Sequence, residues 1–158
     1  MPLYGFHERE VKRIAAAVRY IEGIVKGMAD QRPQKPPAFA LQDGIEFVIN
    51  GGGAAIAAGF AGFLYVPFGC VIVEARLVAD TSTTCQVDIW ADTTFAPTNA
   101  DSICGGAELA IAAGTSDTIT DPVGDGWTAP IARTTWLGFN VDSNDNALKL
   151  TIALTVNR

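Results

Sequence analysis

The chain has a single histidine, His7, near its amino-terminal end and far in sequence from any serine or cysteine that would need a base. No Ser-His-Asp or Cys-His arrangement is assembled by the residue pattern, and the chain is read as a non-enzyme. Cysteine is scarce as well: Cys70, Cys85 and Cys104 are an odd number without a CxxC spacing. That pattern excludes a disulfide framework and a zinc site as organising elements, and leaves three buried thiols as the expectation. The opening MPLYGFHERE lacks the basic-then-apolar order of a secretory leader, so folding in a reducing cytoplasm is expected. Cations are few beyond Pro37, where residues 38–158 hold four Lys/Arg against thirteen Asp/Glu. A surface of that sign repels a phosphate backbone, so no nucleic-acid partner is expected.

Charge is missing altogether from GGGAAIAAGFAGFLYVPFGCVIV, residues 51–73. The run is long enough to cross a bilayer, but its glycines and Pro67 dilute it and no Lys/Arg cluster flanks it, so membrane insertion is not expected. Gly51-Gly52-Gly53 after FVIN imitates a dinucleotide loop, with Glu74 near the ribose distance. Ile56 stands where Gly or Ala is needed for close helix–strand packing, and no alternating helices follow to build a parallel sheet. The remaining reading is a glycine-rich connection, an apolar segment near Phe60 to Val66, a turn at Pro67-Phe68-Gly69, and a strand from Cys70. Uncharged residues at such an entry are expected to be buried against neighbouring chains, with Phe60, Phe63 and Tyr65 at the interface.

What is present suits short strands and turns. Of 158 residues, 49% are hydrophobic, which excludes general disorder, and 16 glycines and eight prolines punctuate the chain. From residue 45 the apolar period is two. It is clearest in LKLTIALTVNR, where Leu148, Leu150, Ile152, Leu154 and Val156 alternate with polar or small residues. IEFVIN, CVIVEARLVAD, CQVDIWAD and TWLGFNVDS read the same way, separated by turn-rich DTSTT and DSNDNA. Seven or eight short strands predict a mainly-β antiparallel sandwich, jelly-roll-like, over residues 45–158.

Ahead of it lies a different pattern. Val11, Ile14, Val18, Ile21, Val25 and Met28 are spaced alternately three and four apart, a heptad seam that predicts an N-terminal α-helical stem over residues 1–31. β-Branched residues at both core positions favour three strands, so a homotrimer is expected. The seam lasts under three heptads, and Gly23 and Gly27 each cost the helix roughly 1 kcal/mol. A single amphipathic helix lying on its own domain or on another protein fits the same spacing. Residues 1–37 carry seven Lys/Arg against four Asp/Glu, a basic segment suited to an acidic protein surface. RPQKPPAFA ends the helix and makes residues 32–44 a stiff spacer, a better account of it than an SH3 ligand.

Few residues offer chemistry. Asp80, Asp88, Asp92 and Asp101 fall at strand ends and turns, where solvation or turn capping is the ordinary role. DSNDNA opens with calcium-loop spacing, but Ala147 stands where that loop turns on glycine, and no Glu closes it. Trp90, Trp127 and Trp136 suit core or trimer-interface packing; Trp127 is the candidate if a ligand stacks on an exposed ring. No metal and no cofactor is expected.

The stretches VDIWADT, ADSICGG, GWTAPI, GFNVDS and KLTIALTVNR, in that order, resemble a module at the C-terminal end of structural proteins of tailed bacteriophages, over roughly residues 60–158. YGFHEREVKRIAAAVRYIE looks like the start of small phage virion proteins. The resemblance implies a β-sandwich, commonly trimeric, displayed on a virion as a decoration protein, head fibre or tail-fibre tip. It brings no catalytic residues. The expected setting is a virion assembled in a host cytoplasm, with the basic helix contacting capsid or tail proteins.

Overall fold

The computed structural model describes residues 17–22 and 41–158. The chain divides into two units, residues 1–39 and 40–158. In the first, residues 17–22 are helical, and Val18 and Ile21 of the expected seam are exposed there. Val11, Ile14, Val25 and Met28 lie outside the described residues, as does the proline-rich stretch up to Ala40.

The second unit is mainly β. Its strands are β1 (Gln42–Asn50), β2 (Gly59–Val66), β3 (Cys70–Asp92), β4 (Leu109–Ile119), β5 (Pro130–Ile131), β6 (Thr135–Asn144) and β7 (Lys149–Asn157), with a 3-10 turn at Asn99–Asp101. All pairings are antiparallel in one seven-stranded sheet of order β1-β7-β3-β6-β2, with β4 and β5 added along β3. The sheet curls: Phe47 of β1, at one end of that order, stacks on Phe139 of β6, near the other, with ring centroids 4.1 Å apart. The expected antiparallel class holds, as a single curled sheet rather than two separate ones.

The reason is β3. DTSTT, expected as a turn between two strands, is strand throughout, so that Cys70–Asp92 is one element of 23 residues. Its first part pairs β7 and its second part pairs β6, while β4 follows it across the bend with register shifts around Thr83. Threonine is β-branched and suits a pleated backbone, so the polar run bends the strand without ending it. Its polar side chains are used locally: Asp80 accepts the N–H groups of Leu148 and Lys149, and buried Thr83 donates to Asn144 Oδ1 at 3.3 Å.

Alternation supplies the core. Leu150, Ile152, Leu154 and Val156 of β7 are buried and their neighbours face outward. They meet Leu77, Val87 and Ile89 of β3, Leu109 and Ile111 of β4, and Leu137, Phe139 and Val141 of β6 in one cluster. Each such side chain contributes about 1.5–3 kcal/mol on burial. A bulge between Ile72 and Glu74 keeps both Ile72 and Ala75 inward, which strict alternation does not anticipate. The glycine run behaves as the bland reading predicts: Gly52 and Gly53 turn with positive φ, Ile56 is buried, and its N–H donates to the carbonyl of Ala147.

Candidate interaction surface

The three expected interface residues come together through one extra residue. Between Phe60 and Gly62 the pairing of β2 with β6 shifts, so that Phe60, Phe63 and Tyr65 stand opposite Asn140, Gly138 and Trp136. Without the bulge at Ala61, Phe60 and Phe63 would point to opposite faces. Gly62 makes the bulge possible where the sheet is tight. A Cβ there would lie 2.9 Å from the Phe47 ring packing beneath it. Asn140, Gly138 and Trp136 in turn oppose Asp88, Trp90 and Asp92 of β3. The outer face of this half therefore reads in three rows, with rings where a solvated face carries polar residues.

Those rings form a continuous array. Phe60 and Phe63 are 4.3 Å apart, Phe60 and Trp90 are 5.9 Å apart, and Phe63–Phe95, Phe95–Trp136 and Trp136–Tyr65 are each at 4.9 Å. Tilted and edge-on pairs at these separations are favourable, at about 0.5–1.5 kcal/mol each beyond area burial. Gly138 is the floor. Any side chain there would press on Trp90 at 3.2 Å, Pro97 at 3.3 Å and Phe63 at 3.5 Å. Trp90 is 9% exposed, whereas Phe60 is 47%, Tyr65 45% and Phe95 61% exposed, so the inner rings support an outer rank that meets solvent.

Phe95 and Pro97 reach the array from the segment after β3, which a buried carboxylate holds down. Asp88, 4% exposed, accepts from its neighbour's backbone at Ile89 N, from Trp90 Nε1 at 2.7 Å and from Ser102 Oγ at 2.7 Å. Three donors compensate the loss of hydration that an ionised carboxylate suffers on burial. Asp88 is thus a mid-strand clamp, in place of the solvated turn residue expected. Asp92 and Asp101 do play the turn role: Asp92 accepts from Thr94 N, and Asp101 closes a capping box with Thr98.

Trp127 is not part of this surface. It is 5% exposed and its Nε1 donates to the carbonyl of Ala107 at 2.7 Å, so its ring belongs to the core. DSNDNA closes β6 through Asn144 and then makes the β6–β7 hairpin turn; Asn144 ties it to the chain by donating to the carbonyls of Ile56 and Ala147. Among the described residues no cluster of His, Cys, Asp and Glu has a metal-holding arrangement, and no helix is long and apolar enough to cross a membrane. All three cysteines are buried thiols, and burial pushes Cys104 far above the usual thiol range, chiefly by desolvation. Burial also raises Asp142, against a hydrogen bond from Asn140 Nδ2 that favours its charged form.

Phe95 is the member of the array that the residue pattern does not place, whereas Trp136 is expected there only as core or trimer-interface packing. Trp136 carried a signal: it sits at the outward parity of β6, in step with Gly138 and Asn140. Phe95 carried none, because its position depends on how Asp88 and Ser102 fold the segment back.

No protein-family model matches the sequence, and no curated protein matches it. Among solved structures, the chain is similar to the capsid of Ralstonia phage GP4, at 17% identity and TM-score 0.43, over 78% of this chain and 88% of that one. It is also similar to the K3 cleaved adhesin domain of Lys-gingipain from Porphyromonas gingivalis, at 13% identity and TM-score 0.38, over 63% of this chain and 61% of that one. A third, the complex of the Aeromonas sobria serine protease and its chaperone, has 8% identity and TM-score 0.35, over 85% of this chain and 29% of that one. At these identities and scores no role passes from any of the three to this chain.

Proposed function

We propose that this chain is a non-enzymatic virion structural protein, a trimeric capsid decoration or minor head protein anchored through its basic N-terminal helix. The observation that carries the reading is where the phage-like stretches fall. VDIWADT and GFNVDS are the paired segments of β3 and β6, and ADSICGG is fastened to them through Ser102 and Asp88. Together these three build the floor of the aromatic array, so part of the resemblance falls on the exposed surface, while GWTAPI leads into β5 and KLTIALTVNR forms β7. In this reading the copies meet through the helical stem, and Phe60, Phe63 and Tyr65, expected between copies, stand instead on a face left open to a partner. Light scattering of the purified chain and co-sedimentation with particles lacking it test this. A trimer that binds such particles is expected; a monomer that does not bind overturns the reading.

A second reading is a tail-fibre adhesin for a host surface glycan or protein. It is favoured by solvent-facing Phe95 and Tyr65, and not by Trp127, whose ring is buried. Host-cell adsorption by the purified chain, lost on Phe95→Ala, is its expected signature.

A further inference from the structure

Rings alone do not specify a partner; the charges around them do. Apart from the Tyr65 phenol, every ionisable side chain standing among the rows of this face is a carboxylate. Asp92 is level with Trp136 and Tyr65 at one end, and exposed Asp142 lies beyond Asn140 and Phe60 at the other. No Lys or Arg occupies a strand position on it. Of the four cations among residues 41–158, Arg76 and Lys149 project from the other half of the sheet, and Arg158 lies over Phe68 at 3.6 Å. Arg133 belongs to the turn between β5 and β6. A guanidinium or ammonium group is attracted both by ring faces and by carboxylates, and an arginine satisfies both at once. A glycan needs no such uniform sign, and a second copy of this acidic body would bring carboxylates to carboxylates.

The spacing sharpens the occupant. Asp142 is six residues along β6 from Trp136, the last of them the extra residue of a bulge between Val141 and Ser143, which places the two carboxylate ends about 17–20 Å apart with the rings between them. We infer that this face docks an extended, arginine- or lysine-bearing segment of another virion protein, with cations about six residues apart seated at Asp92 and Asp142 and the chain between them lying on Phe60, Phe95 and Tyr65. The inference deepens the virion reading by naming the chemistry of the partner. Its test needs no particle, so the two fail separately.

The test is a tryptophan-fluorescence titration of the full chain with a seven-residue peptide bearing arginine at both ends and Thr, Pro and Ser between. The same peptide with glutamate at both ends and a seven-unit maltose oligosaccharide are the comparisons. Binding of the arginine peptide alone is expected, with affinity lowered at least fivefold by Phe95→Ala and by Asp142→Asn. Glu74→Gln removes the same charge from a strand position in the other half of the sheet, where β3 pairs β7, and is expected to leave affinity within twofold. Circular dichroism confirms that each variant is folded. An equal loss on Glu74→Gln would mean attraction to net charge alone and overturns the proposal. Binding of the oligosaccharide in place of the arginine peptide also overturns it, as does self-association abolished by Phe95→Ala.

Discussion

The two halves of the curled sheet solve the same packing problem and differ on their outer faces. In the half built on β1, β7 and the start of β3, inward residues are apolar, Phe47 among them, and the outward positions of β7 are Lys149, Thr151, Ala153, Thr155 and Asn157. In the half built on β2, β6 and the end of β3, the inward residues are equally apolar, Phe139 among them, but the outward positions carry Phe60, Phe63, Tyr65, Trp90 and Trp136. Core formation requires one apolar face per half. The second apolar face is therefore surplus to folding, and surplus apolar surface marks an interaction site.

The sharpest way to break this contrast is to remove one ring from each face. Phe139→Ala empties a fully buried site stacked on Phe47 and is expected to cost about 3–5 kcal/mol in urea denaturation, whereas Phe95→Ala gives up two edge-on ring pairs at the surface and should cost about 1–2 kcal/mol. Equal losses would make the outer array part of the core. Next in size is Asp88→Ala, which strands the indole N–H of Trp90 and the Ser102 hydroxyl. A loss of about 2–3 kcal/mol is expected, with faster amide exchange at Ile103, whose N–H donates to Ile89. Gly138→Ala presses a methyl group against Trp90 and Pro97. About 1–3 kcal/mol is expected, with a shift in tryptophan emission as the outer rings are displaced.

The smallest effect concerns pH. Burial raises Asp142, so its ionised form is disfavoured in the folded chain. A raised folded-state value means that the carboxyl's stabilising contribution is full below its unfolded value and lost as pH rises through the folded one. Asp142→Asn keeps an oxygen for Asn140 and removes the charge. A slightly higher melting temperature is expected at neutral pH, and none of that gain near pH 3, where both forms are neutral.

The contrast also explains what the residue pattern disclosed. β7 alternates without interruption, and its strand, its buried face and its antiparallel setting all follow from period two. β2 and β3 each contain an added residue, at Ala61 and Val73, that reverses the parity, and a bulge leaves no compositional mark. DTSTT reads as a turn by composition and folds as strand because β4 bends along with it. At the surface, Phe60, Phe63 and Tyr65 are legible as apolar members of one uncharged stretch, whereas their shared face depends on the bulge at Ala61. Trp127 was misleading, since whether a tryptophan faces solvent depends on a carbonyl twenty residues away, at Ala107.

The division between a face that folds the chain and a face that binds is tested most directly by thermal melting of Phe60→Ser/Phe95→Ser, with and without the arginine peptide at saturation. Ligand binding to the folded state raises the melting temperature of the parent chain by mass action. The double variant is expected to melt below the parent without peptide, though by less than Phe139→Ala does, and to show no rise with it. A variant that melts as low as Phe139→Ala, or that is stabilised by the peptide as much as the parent is, would contradict the account.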